Sequence, residues 1–482
     1  MHVIHISFEC YPVAKAGGLA DVVGALPKYL KSKGVESWVV MPKFNNSWIR
    51  NHQLEHVHDG ITWLGEEKIE YNIFKEQGDI LGFPIYFVDV PGRLDREGIY
   101  IDSESDYGYW DDFERYTSFQ LASLDWMKSF SKKPDIIHCH DHHTAFVPFL
   151  MAGSPVYHEF ARIPSVLTIH NGHYQGWYET GKKELLPKTD PDKEGLLFWN
   201  GRLNALSAGL RTAWRITTVS HSYLEELQYS SKGLESLLAA ERQKSFGILN
   251  GIDTDVWDPS SDSLIVHNFD VKQCEKGKEE NKKWLCKEFG LNKDLPLYIF
   301  IGRLAEEKGA DILPDLISRY LHAGLKGSFL ILGTGDPGLQ HRFESMKSEH
   351  VGYFDAAITY NEELAHRMYA GSDFLIMPSR VEPCGLNQLY AMRYGTIPIV
   401  RKIGGLKDTV IDFGDPDGYG VTFNHFNIDD TFHALQRSTT LYSDPELLDL
   451  LRKRVMEKDF SWYNSAGHYQ QMYKDVIKEI PQ

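Results

Sequence analysis

The sequence predicts an α/β protein built from two Rossmann-like, doubly wound domains. Three observations carry this reading. Short β-rich runs alternate with longer helical patterns along the chain, the arrangement that builds right-handed βαβ units. Most of those runs are continuously apolar, as parallel strands covered on both faces must be. Twelve such runs are many for one open sheet and natural for two, and 482 residues exceed one ordinary core.

The first strand is expected over residues 1–7 (HVIHIS), followed by a helix whose apolar positions Leu19, Val22, Val23, Leu26 and Leu30 fall on one face. Further strands are expected at 37–42, 84–90, 135–140, 165–170, 215–220 and 246–250, each an apolar run bounded by polar or turn-forming residues. A break follows near Trp257-Asp258-Pro259, with a polar stretch running to Lys283. Within it, KQCEKGKEENKK reads as a solvated helix or loop without chemistry. A second set of strands is expected at 297–303, 329–333, 350–354 (HVGYF), 373–378 and 397–402. The domains are therefore set at residues 1–258 and 259–459. Two such domains facing each other would enclose a deep interdomain cleft lined by strand C-termini.

Composition excludes several classes. A net charge of −16 argues against a nucleic-acid partner, which needs a basic face. The five cysteines are scattered, form no CxxC pair and suit a reduced, cytoplasmic setting. The opening MHVIHISFEC is an apolar strand with no basic leader, so no signal peptide is expected. No apolar run approaches the roughly 20 residues that span a membrane, so no membrane partner is expected either.

Chemistry-bearing residues gather where strands end. Lys15 and Gly17-Gly18 lie between the first strand and its helix, where glycines admit a ligand and helix amides favour an anion; a tight turn with a surface lysine is the alternative. Asp141 and His143 follow the strand DIIHCH. His138, His140 and His142 alternate there as zinc ligands could, but no carboxylate or cysteine completes an obvious set, and no metal is expected. His170 and Asn171 end another buried strand, as cleft residues or as a helix cap. Arg303 and Lys308 straddle a strand-to-helix turn and suit a diphosphate, with a salt bridge to Glu306 or Glu307 as the plainer reading. In SRVEPCGLNQLY, the amides of Cys384, Gly385 and Leu386 would open a helix beside Glu382, a carboxylate better suited to neutral hydroxyls than to an anion. Cations for phosphates and Glu, Asp and His for hydroxyls describe a sugar nucleotide.

These motifs, in order, resemble those of bacterial glycogen synthases and plant starch synthases: KAGGLADVVGALP, HCHDHHTAF, TIHNGHYQG, LNGIDTDVWDP, IGRLAEEKG, SRVEPCGLNQLYAMRYGTIPIVRKIGGLKDTV and GYGVTF. The resemblance spans nearly the whole chain. It implies the GT-B fold, with a C-terminal helix at about 460–482 rejoining the N-terminal domain. It implies retaining transfer of glucose from ADP-glucose to the non-reducing end of an α-1,4-glucan, with no metal and no cofactor. Another retaining GT-B transferase, using UDP-glucose or a different sugar nucleotide on a small acceptor, is the alternative. By the same resemblance Lys15 and Gly18 would contact the donor, Arg303 and Lys308 would hold the diphosphate, and Cys384, Gly385 and Leu386 would give backbone amides. Glu382 would bind glucosyl hydroxyls, Asp141, His170 and Asn171 would line the sugar pocket, Tyr353 would stack near the base and Asn250 would sit near the hinge. The chain departs from the family at Ala16, His142, Gly172, His173, Ser207 and Asn387, close to the expected sugar and acceptor surfaces. The ring- and acid-rich stretch at 104–116 suits either a glucan contact or a packed loop. No oligomeric state follows from the sequence.

Overall fold

A computed structural model describes residues 1–102 and 107–481. The chain divides into two compact units, Met1–Leu249 with Trp462–Gln482, and Asn250–Ser461. The segment from Asn250 to Asp258, which the sequence reading grouped with the N-terminal domain, lies in the second unit. Its Trp257 is stacked between His366 and Tyr390, with ring centroids 3.8 Å from each.

Unit 1 contains β1 (His2–Ile6), β2 (Glu36–Pro42), β3 (Leu54–Leu64), β4 (Glu67–Glu76), β5 (Ile85–Asp89), β6 (Ile136–His140), β7 (Ser165–Ile169), β8 (Trp177–Tyr178), β9 (Phe198–Trp199), β10 (Arg202–Asn204), β11 (Arg215–Thr218) and β12 (Ser245–Gly247). Among the described residues the main sheet runs β12-β11-β7-β6-β1-β2-β5-β4-β3. It is parallel from β12 to β5, and β4 and β3 are added antiparallel. The chain reverses direction across the sheet between β1 and β6, the switch point at which open α/β sheets bind ligands. The β3–β4 hairpin was not anticipated, because its outer strand is half solvated: Ile61 and Trp63 are 50% and 56% exposed. The short sheet β8-β10-β9 was not anticipated either.

The helix Gly18–Ser32 buries the predicted Leu19, Val22, Val23, Leu26 and Leu30. It shares a core with Val3 and with Trp462, Tyr469 and Tyr473 of the last helix, Trp462–Lys478. Tyr473 reaches the sheet itself, its hydroxyl 2.6 Å from His138 Nδ1. Of the ring-rich stretch at 104–116, residues 104–106 lie outside the described residues. Beyond them Trp110 is 90% exposed, and the helix Asp112–Lys128 starts immediately after.

Unit 2 contains β13 (Leu297–Ile301), β14 (Ser328–Leu332), β15 (Phe354–Ala357), β16 (Phe374–Met377), β17 (Ile397–Arg401) and β18 (Val421–Phe423), all parallel, in the order β15-β14-β13-β16-β17-β18. This is the 3-2-1-4-5-6 order of a Rossmann sheet, with its switch point between β13 and β16. Two expectations are corrected. HVGYF is not a strand: β15 begins only at Phe354, and Tyr353 lies in the preceding turn, 40% exposed. KQCEKGKEENKK is not simply solvated: the helix Cys274–Glu288 turns Lys278 inward, where its Nζ donates to the carbonyls of Tyr369, Ala370 and Tyr394 and to Thr396 Oγ1 at 2.7–3.2 Å. A charged sequence hid a buried face: four neutral oxygens satisfy the Lys278 donors, while burial still pushes its ammonium down to about 7. No helix among the described residues is long and apolar enough to cross a membrane.

Candidate active site

In unit 1 the chemistry sits at the C-terminal ends of β1, β6 and β7. After β1 the chain turns through Lys15 and Gly17 into the helix that begins at Gly18. Lys15 is partly exposed, with Nζ 2.7 Å from Asp21 Oδ1. A Cβ added at Gly18 would meet nothing within 4 Å, so this approach to the backbone is open. The amides of Ala16 and Gly17 donate to Glu9 Oε2 at 2.6 and 2.8 Å, and Tyr100 donates to Glu9 Oε1 at 2.8 Å. The anion held by these amides is therefore the protein's own buried carboxylate. Sequence reasoning passed over Glu9; the signal was an acidic residue just past an apolar strand that ends in a glycine turn.

Asp141, directly after β6, has φ 57° and ψ −174°, a conformation otherwise reserved for glycine. The strain is offset by what the residue holds. Its Oδ1 accepts the amides of His170 at 2.7 Å and Asn171 at 3.4 Å. Burial pushes the Asp141 carboxyl up to about 7 and the His170 imidazole down to about 3. Asn171 Oδ1 accepts the His173 amide at 3.0 Å and closes a local turn; the next element is the strand β8, so the residue does not cap a helix. His143 is enclosed in a cluster of three mutually stacked rings with Phe8 and Tyr100. His142 takes no part in the histidine cluster suggested by the sequence. That cluster instead joins His138 and His140 to His5, which the β1–β6 register sets opposite His138.

In unit 2 two turns meet at the switch point. The turn after β13 carries Arg303 and Lys308, and the turn after β16 carries Ser379 to Leu386. Lys308 Nζ lies 2.8 Å from both carboxylate oxygens of Glu382, and Ser379 Oγ donates to Glu382 Oε2 at 3.0 Å. Glu382 is only 5% exposed. The turns are locked together elsewhere: the Arg380 amide donates to Glu307 O at 2.8 Å, and the Arg380 guanidinium forks onto both oxygens of Asp311. Arg303 stays largely exposed, with Nη2 3.4 Å from Glu307 Oε2, so the plainer ion-pair reading holds for it. Lys308 pairs with Glu382 rather than with Glu306 or Glu307.

Close packing places the Glu382 turn. A Cβ on Gly404 (φ 45°) would fall 2.0 Å from Glu382 O, and one on Gly309 (φ 70°) would fall 2.1 Å from Pro378 O. Neither glycine was singled out from the sequence, although IGGLKD and EEKGAD each carry one after a strand end. Cys384, Gly385 and Leu386 precede the short helix Asn387–Arg393. Burial pushes the Cys384 thiol up to about 12, so the thiol is not a nucleophile at neutral pH. Asn250 is buried, and its Oδ1 has no partner among the described residues. Asn387 is engaged, donating to Ile301 O at 2.6 Å.

Residues 2–240 match the starch synthase catalytic domain family, and residues 282–453 match the glycosyl transferases group 1 family. A glycogen synthase from Flavobacterium johnsoniae is 45% identical over 480 residues, covering 99% of this chain and 100% of that one. One from Geobacillus thermodenitrificans is 36% identical over 99% of this chain and 98% of its own length. Among solved structures, the catalytic domain of starch synthase IV from Arabidopsis thaliana, bound to ADP and acarbose, superposes with a TM-score of 0.86 at 34% identity, covering 99% of both chains. A sucrose-phosphate synthase from Thermosynechococcus elongatus, at 18% identity and a TM-score of 0.62, shares the fold. With its Rossmann-like units in the GT-B pattern and full-length identity to these enzymes, the chain belongs to the glycogen synthase and starch synthase family of glucosyltransferases.

Proposed function

We propose that this enzyme transfers glucose from ADP-glucose to the non-reducing end of an α-1,4-glucan with retention of configuration, in the cytoplasm and without metal or cofactor. One observation carries the reading: at the switch point of unit 2 a lysine is held on a buried glutamate, beside an exposed arginine. A carboxylate already occupied by Lys308 and Ser379 is a poor nucleophile and a good orienting group for sugar hydroxyls. Lys308 and Arg303 would meet the charge growing on the departing diphosphate, which is electrostatic catalysis by preorganised cations. The amides of Cys384, Gly385 and Leu386 would add to that field, and Tyr353 would stack near the base. In unit 1, Lys15 and Gly18 would contact the donor and Asp141, His170 and Asn171 the sugar. Asn250 would turn its unpartnered oxygen toward the ligand.

In the bond-changing step the bond from C1 to the phosphate oxygen breaks. A bond from C1 to the acceptor's 4-oxygen forms on the same face, and the acceptor hydroxyl proton passes to the departing phosphate. The ADP carried by the Arabidopsis relative and the glycogen synthase names of the bacterial relatives support this choice of donor and acceptor. The test is nucleotide release from ADP-glucose, UDP-glucose and GDP-mannose, each with and without glycogen, followed by NMR of the extended glucan. Release from ADP-glucose that requires glycogen, with new α linkages, is the expected result. Release only from another donor, or only with a small acceptor, would replace this reading.

A further inference from the structure

Behind His170 lies a row of buried imidazoles. His140 Nδ1 is 3.0 Å from His170 Nε2, and His140 Nε2 is 3.2 Å from His5 Nδ1. His5 and His140 are fully enclosed, and His170 is 8% exposed. Burial lowers the pKa of all three, so each ring is neutral and carries one proton. A neutral imidazole donates from one nitrogen and accepts at the other. The row therefore has one direction, and a proton placed at one end fixes every ring.

The far end chooses the direction. His5 Nε2 is enclosed and has no partner among the described residues. If the row pointed inward, that nitrogen would carry an orphan N–H, which buried structure almost never tolerates. If it points outward, the nitrogen is a bare acceptor, the milder fault. Pointing outward, His5 Nδ1–H donates to His140 Nε2 and His140 Nδ1–H donates to His170 Nε2. His170 must then carry its proton on Nδ1, which has no hydrogen-bond partner among the described residues and is not one of their enclosed unpaired atoms. The backbone of the same residue is pinned by Asp141, so both the position and the tautomer of the ring are set.

A metal could be drawn to the same histidines, since ligand nitrogens of His5, His138 and His140 lie within 4.8 Å of one another. The hydrogen bonds argue against it. Both nitrogens of His138 are taken, by Tyr473 and Thr168, and both of His140 are taken by its neighbours in the row. A ligand needs a free in-plane lone pair from each ring.

We propose that His5 and His140 are positioning residues that hold His170 as its Nδ1–H tautomer, so that His170 presents a hydrogen-bond donor to an oxygen of the glucosyl group. This rests on the reading of His170 as a sugar contact. It is tested on the full chain labelled with 15N in the histidine rings, with the His170 signals assigned by difference from His170→Gln. Two-bond correlations distinguish a protonated from a bare ring nitrogen. In the unaltered protein His170 is expected to show a protonated Nδ1 and a bare Nε2. His140→Leu, which removes the donor, should release His170 into its Nε2–H form and lower kcat/KM about tenfold. His140→Asn, which keeps an N–H at the Nδ1 position, should restore both. A protonated Nε2 in the unaltered protein, or an unchanged His170 spectrum in His140→Leu, would overturn the relay. If His140→Leu does not fold, the spectrum of the unaltered protein decides by itself. The spectrum is read without turnover, so a correct tautomer in a protein that transfers no glucose would sink the proposed activity and leave the relay standing.

Discussion

Lys308 Nζ sits 2.8 Å from each carboxylate oxygen of Glu382, so one cation satisfies a nearly enclosed anion at the mouth of the unit 2 sheet. The lysine is thus part of the structure as well as of the proposed chemistry. Lys308→Ala should abolish turnover and also cost about 1–3 kcal/mol, because among the described residues the Glu382 carboxylate is left with Ser379 alone. Adding Glu382→Gln should recover most of that stability and none of the activity. Urea denaturation beside nucleotide-release assays checks both. Full stability in Lys308→Ala would mean that the pair is dispensable to the fold.

Gly404→Ala tests the close packing beneath the same turn. Its Cβ would fall 2.0 Å from Glu382 O at a φ of 45°, so the turn must move. A loss of about 1–3 kcal/mol is expected, with a fall in kcat well beyond what that destabilisation explains at assay temperature. Gly290→Ala, at φ 62° with nothing within 4 Å, is the control: it should show the conformational cost and normal kcat.

Cys384→Ser should keep substantial activity, since the proposed contribution of this residue is its amide. All five cysteines are free and buried, so a thiol reagent should label the folded enzyme slowly and label five groups only after denaturation. Rapid modification of one thiol with loss of activity would contradict the buried setting of Cys384.

Asp141 gives a pH signature. Its carboxyl is raised to about 7 by burial, while the unfolded chain titrates near the usual value of about 4. Below pH 4 both states hold the proton and nothing is lost. Between about 4 and 7 the unfolded state ionises first, so stability falls as pH rises, then levels off above 7. Asp141→Asn keeps the oxygen that accepts the His170 and Asn171 amides and removes the titration. Its stability relative to the unaltered protein should therefore rise across that window, by up to about 4 kcal/mol. Parallel melting curves at pH 4.5 and 7.5 measure it; a constant difference would show that Asp141 is ionised throughout.

Parallel strands were legible in the sequence because burial on both faces leaves an uninterrupted apolar run, as in LYIFI and FLIM. The β3–β4 hairpin was overlooked because its polar face breaks the run, although Ile69, Tyr71 and Ile73 alternate as a half-buried strand should. HVGYF misled because Val351 and Tyr353 are apolar yet exposed in a turn, and only Phe354 enters the strand and the core. Among site residues, exposed or strand-end groups such as Arg303, His170 and Glu382 were readable, since polarity there has no packing reason. Glu9, His5 and Ser379 were not. Each acts by holding another residue, and such a partner is fixed by the register of non-adjacent strands or by a turn brought in from elsewhere, which no local spacing reports.

The last helix also constrains how the molecule is made. Trp462, Tyr469 and Tyr473 complete the core against the helix Gly18–Ser32, and Tyr473 supplies the partner of His138. On the ribosome those residues emerge only after all of Asn250–Ser461. The first unit must therefore wait as an unfinished intermediate, with apolar surface uncovered, while the second is synthesised and free to fold. That interval is when the nascent chain is most open to aggregation and most in need of a chaperone.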